Sequence, residues 1–111
     1  LHQDHRTTAH AANVALRAIS APFVRRVMSY EIASSTEQTF PGAAAPFTPT
    51  VFFDIERQLP RKLKAMAAYT REARRFPHPR SPQMLSAKAR LRGAQAGFGA
   101  AEAFMMLRER C

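Results

Sequence analysis

The chain opens Leu1-His2-Gln3-Asp4-His5, which sets two imidazoles three positions apart with a carboxylate between them. Imidazole nitrogens and carboxylate oxygens are ligands that zinc accepts, and a hydrolytic zinc takes three protein ligands plus water. A helix capped by Thr7 or Thr8 and running to about Ile19 is expected directly after this cluster. Its positive end would lower the pKa of a nearby histidine and favour the neutral, metal-binding form. Asp4 could fix the tautomer of one ring, as carboxylates behind metal-bound histidines do. By type and spacing alone, the same three residues also read, and more commonly, as exposed surface groups or the remains of a tag. His10 and His78 have no partner at a useful spacing and read as structural or exposed.

The elements that would position these groups follow from periodicity. Ala11, Val14, Ala15 and Ala18 fall at i, i+3, i+4 and i+7, a small-residue face suited to close packing on a sheet. Ser20-Ala21-Pro22 ends that helix, and Val24 to Ile32 reads as a strand. From Ala33 to Thr50 the density of Ser, Thr, Pro and Gly predicts a long loop, of the kind that often forms a functional wall. Val51–Ile55 is a short bulky strand. A helix follows from about Glu56 to Ala73, with Leu59, Leu63, Met66, Ala67 and Thr70 on its inner face and Arg57, Arg61, Lys64 and Arg71 away from it. Pro60 is tolerable only in the first turn, so that helix starts no earlier than about Arg57. Ser81 caps a third helix with Pro82 at its first position, and Gly97 and Gly99 stop it after Ala96. Ala101 to Leu107 is expected to form the last strand. Helix, strand, loop, strand, helix, helix, strand is an α/β order.

A length of 111 residues suffices for one core, and 46% hydrophobic residues argues against wholesale disorder. No run approaches the roughly 20 apolar residues of a spanning helix, and no secretory leader is seen in these residues. The single cysteine, Cys111, excludes an internal disulfide framework and a cysteine-based zinc ribbon, and fits a reducing cytoplasm. A start at Leu1 predicts that these residues are the end of something longer. The net charge of +9 raises nucleic acid as a partner, because eleven of the seventeen basic residues lie between Arg57 and Arg92 with only Glu72 to oppose them. The companions of a nucleic-acid module are missing: there is no glycine-rich phosphate loop, no aromatic interleaving on a strand and no zinc-finger spacing. Solvated outer helix faces explain the stripe, and no nucleic acid is expected.

The opening Leu-His-Gln-Asp-His-Arg resembles the second motif of the LmbE/PIG-L family of zinc-dependent N-acetyl-sugar deacetylases. The similarity continues through Met28-Ser29-Tyr30-Glu31 and Ser34-Ser35-Thr36, then Pro49-Thr50-Val51-Phe52-Phe53-Asp54-Ile55 and Arg61-Lys62-Leu63-Lys64-Ala65. It ends with Arg92-Gly93-Ala94 and Ala101-Glu102-Ala103-Phe104, all in the family's order and spacing. The resemblance implies that residues 1–111 are the C-terminal portion of a single Rossmann-like, three-layer α/β deacetylase domain. A His-Pro-Asp-Asp motif near the family's N-terminus, supplying two zinc ligands and the general base, is absent from these residues.

Carried over position by position, the resemblance makes His5 a zinc ligand, places His2 against the substrate as oxyanion stabiliser or proton donor, and has Asp4 orient His2. Gln3 stands where the family most often has Pro, which leaves the ligand types intact. The implied activity is removal of acetate from a small N-acetylated sugar conjugate with Zn2+ as cofactor, the isolated chain being inactive. A small basic α/β module that binds nucleic acid is the alternative reading, and a catalytically dead relative is a third.

Overall fold

The computed structural model describes residues 2–33 and 46–111. Helix α1 spans His2–Ala15, strand β1 Arg26–Tyr30, β2 Val51–Asp54, α2 Leu59–Ala67, α3 Pro82–Ala96 and β3 Ala101–Glu109. The three strands form one sheet in the order β1-β3-β2. The α/β class read from the order of elements therefore holds. Strands β2 and β3 run antiparallel, with Val51 opposite Phe104 and Phe53 opposite Glu102. Residues directly opposite share a face, and the Phe53 and Phe104 rings meet edge to face with centroids 5.3 Å apart. No described helix is long and apolar enough to cross a membrane.

The chain divides into two compact units, one of residues 1–28 and 106–111 and one of residues 29–105. In the first, α1 begins at His2 and not after a Thr7 or Thr8 cap, so the His/Asp cluster lies inside the helix. Asp4 in its first turn suits the positive helix end. The helix also stops at Ala15, short of Ile19, because the next turns tighten: Ser20 N–H donates to the Arg17 carbonyl at 2.9 Å. Ala11, Val14, Ala15 and Ala18, expected to pack on a sheet, are all exposed. Val24 N–H donates to the Ala21 carbonyl at 3.1 Å, and this turn delays β1 to Arg26. The final residues are fastened locally. Arg26 pairs with Glu109 at 2.9 Å, Arg110 N–H donates to the Arg25 carbonyl at 2.8 Å, and Arg108 Nη2 donates to the Leu16 carbonyl at 2.5 Å. These ties carry β3 two residues past Leu107.

In the second unit, α3 has the bounds expected. Ser81 Oγ accepts from Met84 N–H at 3.2 Å, and Gly97 takes the left-handed conformation at φ 83°. Helix α2 is shorter than the expected Glu56–Ala73. It starts at Leu59, with Asp54 Oδ1 accepting from Glu56 N–H at 3.0 Å in the preceding turn. Past Ala67 the next residues are exposed, so no apolar face is buried to extend it. Leu59, Leu63 and Met66 are half-buried as expected, while Ala67 and Thr70, assigned to the same inner face, are exposed. Helix α3 packs on α2 and β2. Its Gly93 lies so close to the following segment that a Cβ there would stand 2.7 Å from Ala100 Cα. The buried set is mostly of small residues: Pro79, Ser81, Ala89, Gly93, Ala100, Ala101 and Ala103. Ala33 and residues 46–50 have no regular structure, and the remainder of the expected loop lies outside the described residues.

Candidate functional site

The expected site residues share the beginning of α1. Positions 2 and 5, three apart, lie on one side of the helix, while position 4 is turned about 200° from position 2. Asp4 and His5 are exposed. Among the described residues no group of three or more His, Cys, Asp or Glu side chains is placed to hold a metal ion. The donor types suit zinc, but with position 4 turned away only two of them share one side of the helix, fewer than the three protein ligands that a hydrolytic zinc takes. His10 is exposed, and His78 is half-buried. Its Nδ1 accepts from the Arg80 backbone N–H at 3.1 Å, which makes it part of the Pro-dense turn.

A second cluster of charged groups lines a cavity of about 540 Å³ within the second unit, walled by α2, α3, β3 and the segment after β1. Glu31 stands just beyond β1 and reaches α3. Arg92 Nε donates to its Oε1 at 3.1 Å and Arg92 Nη2 to its Oε2 at 2.7 Å, with Lys88 Nζ 3.7 Å from Oε2. Burial raises the Glu31 pKa, but the Arg92 hydrogen bonds and the charges of Lys88 and Arg92 outweigh it and hold the carboxyl below its ordinary value. The hydrogen bond to Glu31 holds the Arg92 guanidinium above its ordinary value in turn, although burial opposes it. The Arg92 guanidinium also lies 5.8 Å from the Phe47 ring centroid.

Two further ion pairs line the same cavity. Lys62 Nζ meets Glu102 Oε1 at 2.9 Å, and Arg80 Nη1 meets Glu72 Oε2 at 2.9 Å. Arg80 Nε is buried and has no hydrogen-bond partner among the described residues. Apolar and aromatic groups, including Met66, Leu85, Tyr69 and Phe104, complete its lining.

Nothing in the types or spacing of Glu31 and Arg92 marks them as site residues in the sequence. Sixty-one positions separate them, and no periodic pattern links residues so far apart. One signal is available: in the basic stretch from Arg57 to Arg92 Glu72 is the single carboxylate, so half-buried cations beyond the one it pairs need a distant partner.

No family model matches this chain, nor does any curated protein or solved structure.

Proposed function

We propose that the chain carries part of the active site of a metal-dependent hydrolase that removes the acetyl group from an N-acetylglucosamine-type substrate. The supporting observation is the concentration of His2, Asp4 and His5 at the start of one helix, with Asp4 and His5 open to solvent. Their order and spacing are those of the LmbE/PIG-L motif, and the other similar blocks follow along the chain. In this reading the 111 residues form the C-terminal portion of a Rossmann-like domain.

Residues outside these 111 would complete the metal site, because among the described residues no group of three His, Cys, Asp or Glu side chains is placed to hold the ion. His5 contributes one imidazole. His2, on the same side of α1, acts on the substrate, donating a hydrogen bond to the carbonyl oxygen as negative charge builds there or a proton to the leaving amine. Positions two apart do not face each other on a helix. Asp4 therefore orients His2 only where the first turn opens at His2 in the assembled site.

The nucleic-acid reading is less well supported. Lys62, Arg80, Lys88 and Arg92, four of the cations in the basic stretch, lie against carboxylates.

The test is acetate release from acetylated glucosamine conjugates by the complete protein loaded with zinc. Activity that falls by roughly 100- to 1000-fold in His2→Ala, together with loss of metal in His5→Ala, supports the assignment. Unchanged turnover in both variants refutes it.

A further inference from the structure

We propose that the turn segment between α1 and β1, residues 16–25, seats the chain on an anionic lipid surface. It carries the two most exposed large apolar side chains among the described residues, Ile19 at 91% and Phe23 at 81%. Ala21, midway between them, is buried and anchors the segment. Four residues of chain span at most about 14 Å, so both side chains fall within one footprint. A lone exposed apolar residue needs no explanation. Two at near-complete exposure on one short turn, flanked by cations, point to a surface that takes both.

The charge selects that surface. Residues 5–30 hold four arginines, Arg6, Arg17, Arg25 and Arg26, and no Asp or Glu. Arg26 pairs with Glu109. Arg17 and Arg25, which bracket the turn, are exposed and form no ion pair among the described residues. A second copy docked through the same turn would bring arginines onto arginines, and an uncharged apolar partner would leave them unanswered. An anionic bilayer meets both needs: its headgroups face the guanidinium groups and its acyl boundary takes the Ile19 and Phe23 side chains.

The backbone suits that boundary, where an unmet peptide group is costly. Ser20 and Ala21 N–H both donate to the Arg17 carbonyl at 2.9 Å, and Val24 N–H donates to the Ala21 carbonyl at 3.1 Å. Pro22 has no N–H, and its carbonyl accepts from Arg110 Nη1. Arg108 Nη2 likewise holds the Leu16 carbonyl. The turn therefore reaches the interface already folded. Neither His5 nor a metal takes part, so this docking goes beyond the hydrolase reading and is independent of it.

The experiment is flotation of the chain, with chelator present, on vesicles of phosphatidylcholine alone and of equal parts phosphatidylcholine and phosphatidylserine. Binding to the anionic vesicles only, weakened by added salt, is expected. Phe23→Ser should weaken it about tenfold, and Arg17→Gln combined with Arg25→Gln roughly 10- to 30-fold, with unchanged far-ultraviolet circular dichroism. If Phe23→Ser fails to fold, Ile19→Ser carries the same test. His5→Ala should bind as the parent does. No flotation with anionic vesicles, equal flotation with neutral ones, or parental binding in the folded turn variants overturns the proposal. So does self-association in sedimentation velocity that Phe23→Ser abolishes, which would give the turn to a second copy. Failure here leaves the hydrolase assignment standing, and loss of hydrolysis leaves this surface standing.

Discussion

Arg92 holds Glu31 through two parallel hydrogen bonds, Nε to Oε1 at 3.1 Å and Nη2 to Oε2 at 2.7 Å, joining α3 to the end of β1. Only 15% of either side chain is exposed. Solvent screening is therefore weaker than at the rim, where isolated ion pairs contribute little. A guanidinium fork matches a carboxylate in a way that an ammonium cannot.

Replacing Arg92 by Ala leaves a half-buried carboxylate with Lys88 as its remaining cation and removes the contact with Phe47. The expected loss is about 1.5–3 kcal/mol, the range for hydrogen bonds to charged groups. Arg92→Lys should recover only part of it. Urea unfolding checks this as a lower midpoint at constant slope. A parental midpoint for Arg92→Ala would show that the pair contributes nothing to stability.

The same pair sets an acid limit. Burial raises the Glu31 pKa, the Arg92 hydrogen bonds and neighbouring positive charges lower it more, and the folded value lies below the ordinary 4.5. The folded chain thus binds this proton less readily than the unfolded chain. The resulting stability is fully present above the unfolded pKa and is lost as pH falls through the folded value. Unfolding midpoints should decline on acidification through and below the ordinary carboxylate range, and Glu31→Gln should shallow that decline. An identical acid profile in Glu31→Gln would locate the linkage in other carboxylates.

Helix α3 gives a graded series. Ser81→Ala removes the cap to Met84 N–H and should cost about 1 kcal/mol. Gly97→Ala forces a side chain into the left-handed region at φ 83°, for about 1–2 kcal/mol. Gly93→Ala should cost about 1–3 kcal/mol, because its Cβ would meet the Ala100 Cα and the Phe98 carbonyl, each at 2.7 Å, and these are backbone atoms. Thermal melts of the three variants would expose an error if Gly93→Ala proved the mildest.

Helix α3 was legible in the sequence because its signals are local: a serine, a proline and a glycine fix both ends. Strand β2 was legible from its bulky run for the same reason. The start of α1 was not, because Thr7 and Thr8 are acceptable caps and nothing in His2-Gln3-Asp4-His5 forbids a helix. The early end of α2 turns on the exposure of Ala68 to Arg71, which depends on what packs nearby. The cavity was the least visible feature. Glu31 looked like one carboxylate in a strand until the fold brought Arg92 and Lys88 to it from α3.

Metal stoichiometry distinguishes what this chain supplies from what its motif implies. Within α1, positions 2 and 5 share one side and position 4 does not, and among the described residues no group of three or more His, Cys, Asp or Glu side chains could hold a metal ion. Two imidazoles fall short of the three protein ligands of a hydrolytic zinc. The 111-residue chain should therefore retain well under one zinc per chain after dialysis. Added zinc should leave its thermal midpoint nearly unchanged, because only an ion bound tightly to the native state raises it. One zinc held per chain, lost in His5→Ala, would contradict this donor count and show that the chain completes a metal site unaided.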